Sequence, residues 1–232
     1  MNIKKFEKDL GSFVGKLLRD HFGKGPGAVF ATLAPPYITI YLKDFLSPME
    51  NKLLDNKQNK SVEKIRDMLM PALIEEIKAY VKMYTDLQIN EFYYDWNLDS
   101  QSGMFIGVDS QLDPYNQSYE NQDKVHNEII KVSEEAQKAP GEIYSHLLNP
   151  RTLIVTRHDI FIAIEKEMIK LGFQETLTLA KRDLEKRYLE EHKQKLEKYL
   201  EAEIENTFAT WNFDLDKGII TFILKPHSKR QQ

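Results

Sequence analysis

The chain has no cysteine among its 232 residues and only two tryptophans. The first absence excludes disulfides, thiol nucleophiles and cysteine metal sites, and it suits a reducing cytoplasm. Long apolar runs are missing too: no window approaches roughly 18 consecutive apolar residues, so no segment is expected to span a bilayer. Any membrane role is then peripheral. The stretch Met1-Asn2-Ile3-Lys4-Lys5-Phe6-Glu7-Lys8-Asp9 carries acidic residues early and lacks the apolar core of a signal peptide. Neither sign of charge dominates. Net charge is −4, and division at Tyr115 leaves 14 basic against 16 acidic residues, then 18 against 20. Neither half is the basic patch that nucleic acid requires, so nucleic acid is not an expected partner. The six histidines, His21, His126, His146, His158, His192 and His227, are scattered, with no i, i+4 pair and third ligand. No Ser/His/Asp arrangement is evident either, so the sequence points to no catalytic group, metal or cofactor.

What is present is a duplication. Trp96-Asn97-Leu98-Asp99 with Gly103 recurs as Trp211-Asn212-Phe213-Asp214 with Gly218, and both the tryptophans and the glycines are 115 residues apart. Asp44 and Asp159, and Glu50 and Glu165, keep the same interval. The boundaries expected are a first repeat at 1–109, a linker at 110–122 broken by Pro114, a second repeat at 123–226 and a tail at 227–232. At 41% hydrophobic residues, each half can bury a core of its own.

In the first repeat, Ile3, Phe6, Leu10, Phe13, Val14, Leu17, Leu18 and Phe22 recur at helical spacing, and Gly23 stops the helix. Ala28 to Leu33 and Tyr37 to Leu42 predict two strands joined through Ala34-Pro35-Pro36. Ser47-Pro48-Met49-Glu50 is a helix start with cap, first-turn proline and reciprocal acid. A helix capped at Ser61 follows, with a kink or restart expected at Pro71. Ile89 to Leu98 and Met104 to Val108 predict a second hairpin, with Phe92, Tyr94, Trp96 and Leu98 on one face and Met104, Ile106 and Val108 joining them.

The second repeat carries the same order, with a long helix expected from Phe173 to Asn206 and a closing hairpin at Ile204 to Phe213 and Ile219 to Leu224. The fold expected is α+β: two tandem α-β-β-α-α-β-β repeats, each a small antiparallel sheet covered by helices, related by an internal pseudo-two-fold. Each tryptophan, alternating with apolar neighbours on a strand, reads as core.

Gly23-Lys24-Gly25-Pro26-Gly27 has the composition of an anion cradle, since glycine amides and a lysine suit phosphate. Its context is wrong for that role: it closes a helix and opens a strand, where a phosphate loop does the reverse. The candidate contacts for a ligand or partner are Gly23, Lys24, Gly25, Pro26, Asp44 and His158. His158 and Asp159 adjoin on a strand, which points them to opposite faces and weakens them as an acid/base pair.

The Gly23-Lys24-Gly25-Pro26 segment, the strand pair after it, and Leu42-Lys43-Asp44-Phe45-Leu46-Ser47-Pro48-Met49-Glu50 resemble the MpsC-type family, as do Asp99 and Gly103 near the end of the unit. The resemblance covers residues 1–108 more fully than 123–224; in the second repeat Ala139 stands in place of Gly25 and Ala163 in place of Pro48. That family is linked by name to a sodium-translocating, membrane-potential-generating system also connected with inorganic carbon uptake, so the resemblance implies a cytoplasmic accessory or regulator, peripheral to the membrane, of a membrane cation or bicarbonate transporter. The duplication and the missing catalytic groups make the expected role non-enzymatic. A transporter subunit is then the partner implied, and homo-oligomerisation is left open. The alternative is a small-ligand sensor or an unrecognised enzyme using a cleft between the repeats, with Lys24, Asp44 and His158 as polar contacts.

Overall fold

A computed structural model describes residues 2–113 and 118–226. Pro114 in the expected linker, and the expected tail with His227, lie outside the described residues. The chain divides into two compact units, residues 1–115 and 116–232.

The first unit runs α1 (Ile3–Phe22), β1 (Ala28–Ala34), β2 (Tyr37–Lys43), α2 (Pro48–Asp55), α3 (Asn59–Tyr84), β3 (Glu91–Asn97) and β4 (Ser102–Val108). Its sheet is antiparallel throughout, in the order β1-β2-β4-β3. Asn2 caps α1 by accepting the Lys5 N–H, and the α1 stripe Phe6, Leu10, Val14, Leu17 and Leu18 is buried. That stripe packs with Ile38, Ile40, Leu42, Trp96 and Phe105 of the sheet and with Met70, Leu73, Ile77 and Val81 of α3. Helical spacing in the sequence and burial in the fold agree here because one face of each helix has a sheet to cover.

The second unit runs α4 (Gln122–Ala136), β5 (Glu142–Asn149), β6 (Thr152–His158), α5 (Ala163–Lys170), α6 (Gln174–Glu191), α7 (Lys193–Leu200), β7 (Ala202–Asn212) and β8 (Lys217–Pro226). Its sheet order, β5-β6-β8-β7, repeats that of the first unit. Two four-stranded antiparallel sheets with helices against them, in two similar halves, are the α+β arrangement expected.

Four local expectations are corrected. The Trp96 strand pairs Trp96 with Gly103, Tyr94 with Phe105 and Phe92 with Gly107, so Met104, Ile106 and Val108 lie on the opposite face, across from Asp95, Tyr93 and Glu91. The connection is Leu98 to Gln101, one residue shorter than expected, and a one-residue slip exchanges the faces of a strand. The expected long helix of the second repeat ends at Glu191 and resumes as α7, and Glu201, at φ 49°, turns the chain into β7. Ile204 fits a helical stripe and a strand alternation equally, which is why periodicity misplaced it. Helix α3 begins at Asn59 rather than at Ser61, and Pro71 lies inside its one continuous span, so the helix does not restart there. Pro71 lies on the solvent-exposed side of the helix. Lastly, Tyr119 and Gln122, at the end of the expected linker, are built into the second unit: both hydrogen-bond Ser145 of β5.

Candidate functional site

Five of the six candidate residues meet at one corner of the first unit. Gly23 takes the left-handed conformation (φ 73°) that ends α1, its N–H donating to the Arg19 carbonyl at 2.9 Å. Lys24 donates from Nζ to the Leu46 carbonyl at 2.9 Å, tying the end of α1 to the approach to α2. Gly25 lies against α1 so closely that an added Cβ would stand 2.9 Å from the Gly15 carbonyl oxygen. Pro26 is half-buried and leads into Gly27, whose N–H donates to the carbonyls of Lys43 and Asp44. Asp44 itself sits at φ 53°. These contacts are the helix cap and turn that the sequence context favoured over a phosphate cradle.

His158, the sixth candidate, belongs to the second unit. It is the last residue of β6, edge-on to the Tyr144 ring at 6.3 Å, and Asp159 after it takes φ 55°. Asp159 is therefore a corner residue, matching Asp44 in conformation as well as in spacing.

Sequence reasoning missed a buried set of charges that the same 115-residue interval reveals. Arg66, on the buried face of α3, donates from Nε to Glu50 Oε1 at 2.7 Å, and from Nη2 to Glu50 Oε2 at 3.1 Å and to the Phe45 carbonyl at 2.8 Å. Its guanidinium lies 4.7 Å from the ring centroids of both Phe45 and Trp96. Arg66 is wholly inaccessible to solvent and Glu50 nearly so. Burial raises the Glu50 carboxyl, but the Arg66 hydrogen bonds and charge, with the Ser47 N–H, outweigh it and hold the group below its ordinary value.

The second unit has Lys181 where 115 residues earlier stands Arg66, and Glu165 where stands Glu50. Lys181 Nζ is 2.7 Å from Glu165 Oε1, also bonds Gln137, and lies 5.1 Å from the Phe161 ring and 5.3 Å from the Trp211 ring. The signal was available in the sequence: a basic residue at the same place in the buried stripe of a helix, twice, and in α3 amid apolar neighbours.

A further network is peculiar to the second unit. Arg157 of β6 donates from Nη2 to Glu185 Oε2 at 2.6 Å and from Nη1 to Ser133 Oγ at 3.0 Å, while Glu185 Oε1 accepts the Trp211 indole N–H at 3.0 Å. At 115 residues earlier, Arg157 and Glu185 correspond to Leu42 and Met70, both core residues of the first unit. The charged pair replaces an apolar pair. These arrangements fix helices to sheets and orient the indoles. Among the described residues no group of three or more histidine and carboxylate side chains is placed to hold a metal ion, and no helix is long and apolar enough to cross a membrane.

The family model described as "Na+-translocating membrane potential-generating system (MpsC)" matches residues 2–110 and again residues 118–226. The chain belongs to the MpsC family. It carries the MpsC unit twice, and the second match is as long as the first, where the sequence had suggested a weaker likeness. No curated protein and no solved structure matches the chain. A buried cation and carboxylate beside a tryptophan are thus features of both MpsC units of this chain, whereas the Gly23-to-Pro26 segment is intact in the first alone.

Proposed function

We propose that this tandem MpsC protein is a non-enzymatic accessory or regulatory component of a membrane cation or bicarbonate transport system, acting at the cytoplasmic face. The observation that carries the reading is the double match to a family described by a sodium-translocating, potential-generating system. Ions then cross through a partner subunit, since no helix among the described residues has the length and apolarity to cross a bilayer. The non-enzymatic part is supported by the use of the buried acids and bases. Glu50, Glu165 and Glu185 are each engaged by a buried cation, an arrangement that serves rigidity rather than proton transfer.

The test is capture of the tagged full chain from solubilised membranes. Recovery of an integral membrane transport or respiratory subunit, lost when the membrane fraction is omitted, is the result expected. Retention of no such subunit by either the full chain or its cross-linked form overturns the reading.

A further inference from the structure

The second unit has an open groove of about 260 Å³ between the start of α4 and the end of α7. It is lined by Tyr119, Tyr199, Leu147 and Leu224, together with Glu120 and Glu201. Tyr119 is fixed in place: its hydroxyl shares a 2.8 Å hydrogen bond with Ser145 Oγ, which His126 Nε2 also meets at 2.7 Å. Burial pushes the Tyr119 phenol up to about 12, so the ring is neutral at physiological pH. Tyr199 is held through its backbone, whose carbonyl accepts the Asn121 side-chain N–H at 3.1 Å.

We infer that this groove is a binding site for a small organic monocation, an ammonium group on a short apolar stem. Three features converge on that chemistry. Two tyrosines line the groove, and tyrosine rings attract a cation and cover an apolar stem. Glu120 and Glu201 are exposed, and among the described residues neither side chain has a hydrogen bond or an ion pair, so both carboxylates are available to a ligand. Finally, the groove lies at the C-terminal end of α7, the negative end of that helix's dipole, where Glu201 is the cap. An anion meets the opposite of each of these, and a neutral ligand gains from the apolar walls alone.

The site belongs to the second unit. Whether the repeat interval is taken as 115, or as the 114 that relates Pro26 to Pro140, position 119 corresponds to a lysine, Lys4 or Lys5, in the first unit. The inference does not depend on the accessory role proposed above, and an ion-transport partner is not needed to test it.

The experiment titrates the full chain with choline and, separately, with its uncharged isostere 3,3-dimethylbutan-1-ol, following chemical shifts of the tyrosine ring protons. Saturable choline binding at least ~10-fold tighter than the isostere is expected, the size of a partly desolvated cation–aromatic contact. Tyr199→Leu should weaken choline ~10-fold, and the Glu120→Gln, Glu201→Gln pair should weaken it ~3-fold or more and flatten its salt dependence. Both changes in the pair are on exposed side chains, so folding is preserved even if the tyrosine variant is unstable. Equal binding of the two probes, absence of choline binding, or choline affinity unchanged in the carboxamide pair overturns the inference.

Discussion

Trp96 lies directly across the strand pair from Gly103, and Trp211 stands in the same relation to Gly218. The pairing explains why the two residue types recur together seven positions apart. A Cβ on Gly103 would stand 2.7 Å from the Cε3 and Cζ3 atoms of Trp96 and 3.3 Å from Leu42 Cδ1, so the glycine makes the room that the indole fills. Gly103→Ala is expected to cost about 1–3 kcal/mol through overpacking and to shift the Trp96 emission. Urea unfolding followed by tryptophan fluorescence measures both; an unchanged midpoint would show that the indole moves aside freely.

The architecture was legible because it rests on patterns that the chain states twice. Fold class, repeat number and nearly every strand and helix follow from apolar periodicity together with the Trp and Gly interval. What periodicity missed was parity and identity inside the core. The face of β4 depends on a turn one residue shorter than expected, and the end of α7 depends on Glu201 adopting a left-handed conformation that no apolar pattern marks. Arg66, Lys181 and Arg157 escaped notice because charge in a stripe reads as a solvated face until a partner is seen. Of the candidates, Gly23 and Asp44 stand out in the fold by their left-handed backbone, and Lys24 by its hydrogen bond to the Leu46 carbonyl.

Arg66 and Glu50 make a two-bonded pair inside the first unit. Arg66→Met is expected to destabilise that unit by about 3–5 kcal/mol, because Glu50 is left charged and buried. Adding Glu50→Gln, which preserves the cap on Ser47, should restore part of the loss. A double-mutant cycle in urea, read from Trp96 fluorescence, gives the coupling; strict additivity would rule out the pair as a unit.

Arg157 and Glu185 replace what the first unit builds from Leu42 and Met70. Arg157→Leu alone is expected to cost about 3–5 kcal/mol, leaving the buried Glu185 with only the more distant Lys181, 3.9 Å away, as its cation. Arg157→Leu with Glu185→Met, which copies the first unit, should come within about 1 kcal/mol of the native stability or exceed it. The half-buried Trp211 then loses the Glu185 acceptor to water rather than to an apolar void. Calorimetric melting of the three proteins decides the matter: a double variant as unstable as the single would show that the network is needed for packing.

Glu128 of α4 is buried, yet its carboxyl is held at about 2 rather than the ordinary 4.5. Burial alone raises the group, and hydrogen bonds from Lys195, His192 and Lys131 more than offset that rise. His192 Nδ1 lies 2.7 Å from Glu128 Oε1 and Lys195 Nζ 2.9 Å from it, so the carboxylate joins α4 to the junction of α6 and α7. A folded-state value below the unfolded one means that the stabilisation is complete above about pH 4.5 and is lost as pH falls toward about 2. Across that window this one group should contribute a slope of up to ~1.4 kcal/mol per pH unit. Glu128→Gln should be less stable at neutral pH and should show a shallower loss between those two pH values. Urea midpoints of the second unit, taken from Trp211 fluorescence at intervals from pH 5 to about pH 2, measure the slope. An identical slope in the variant would place the acid sensitivity of this unit on other carboxylates.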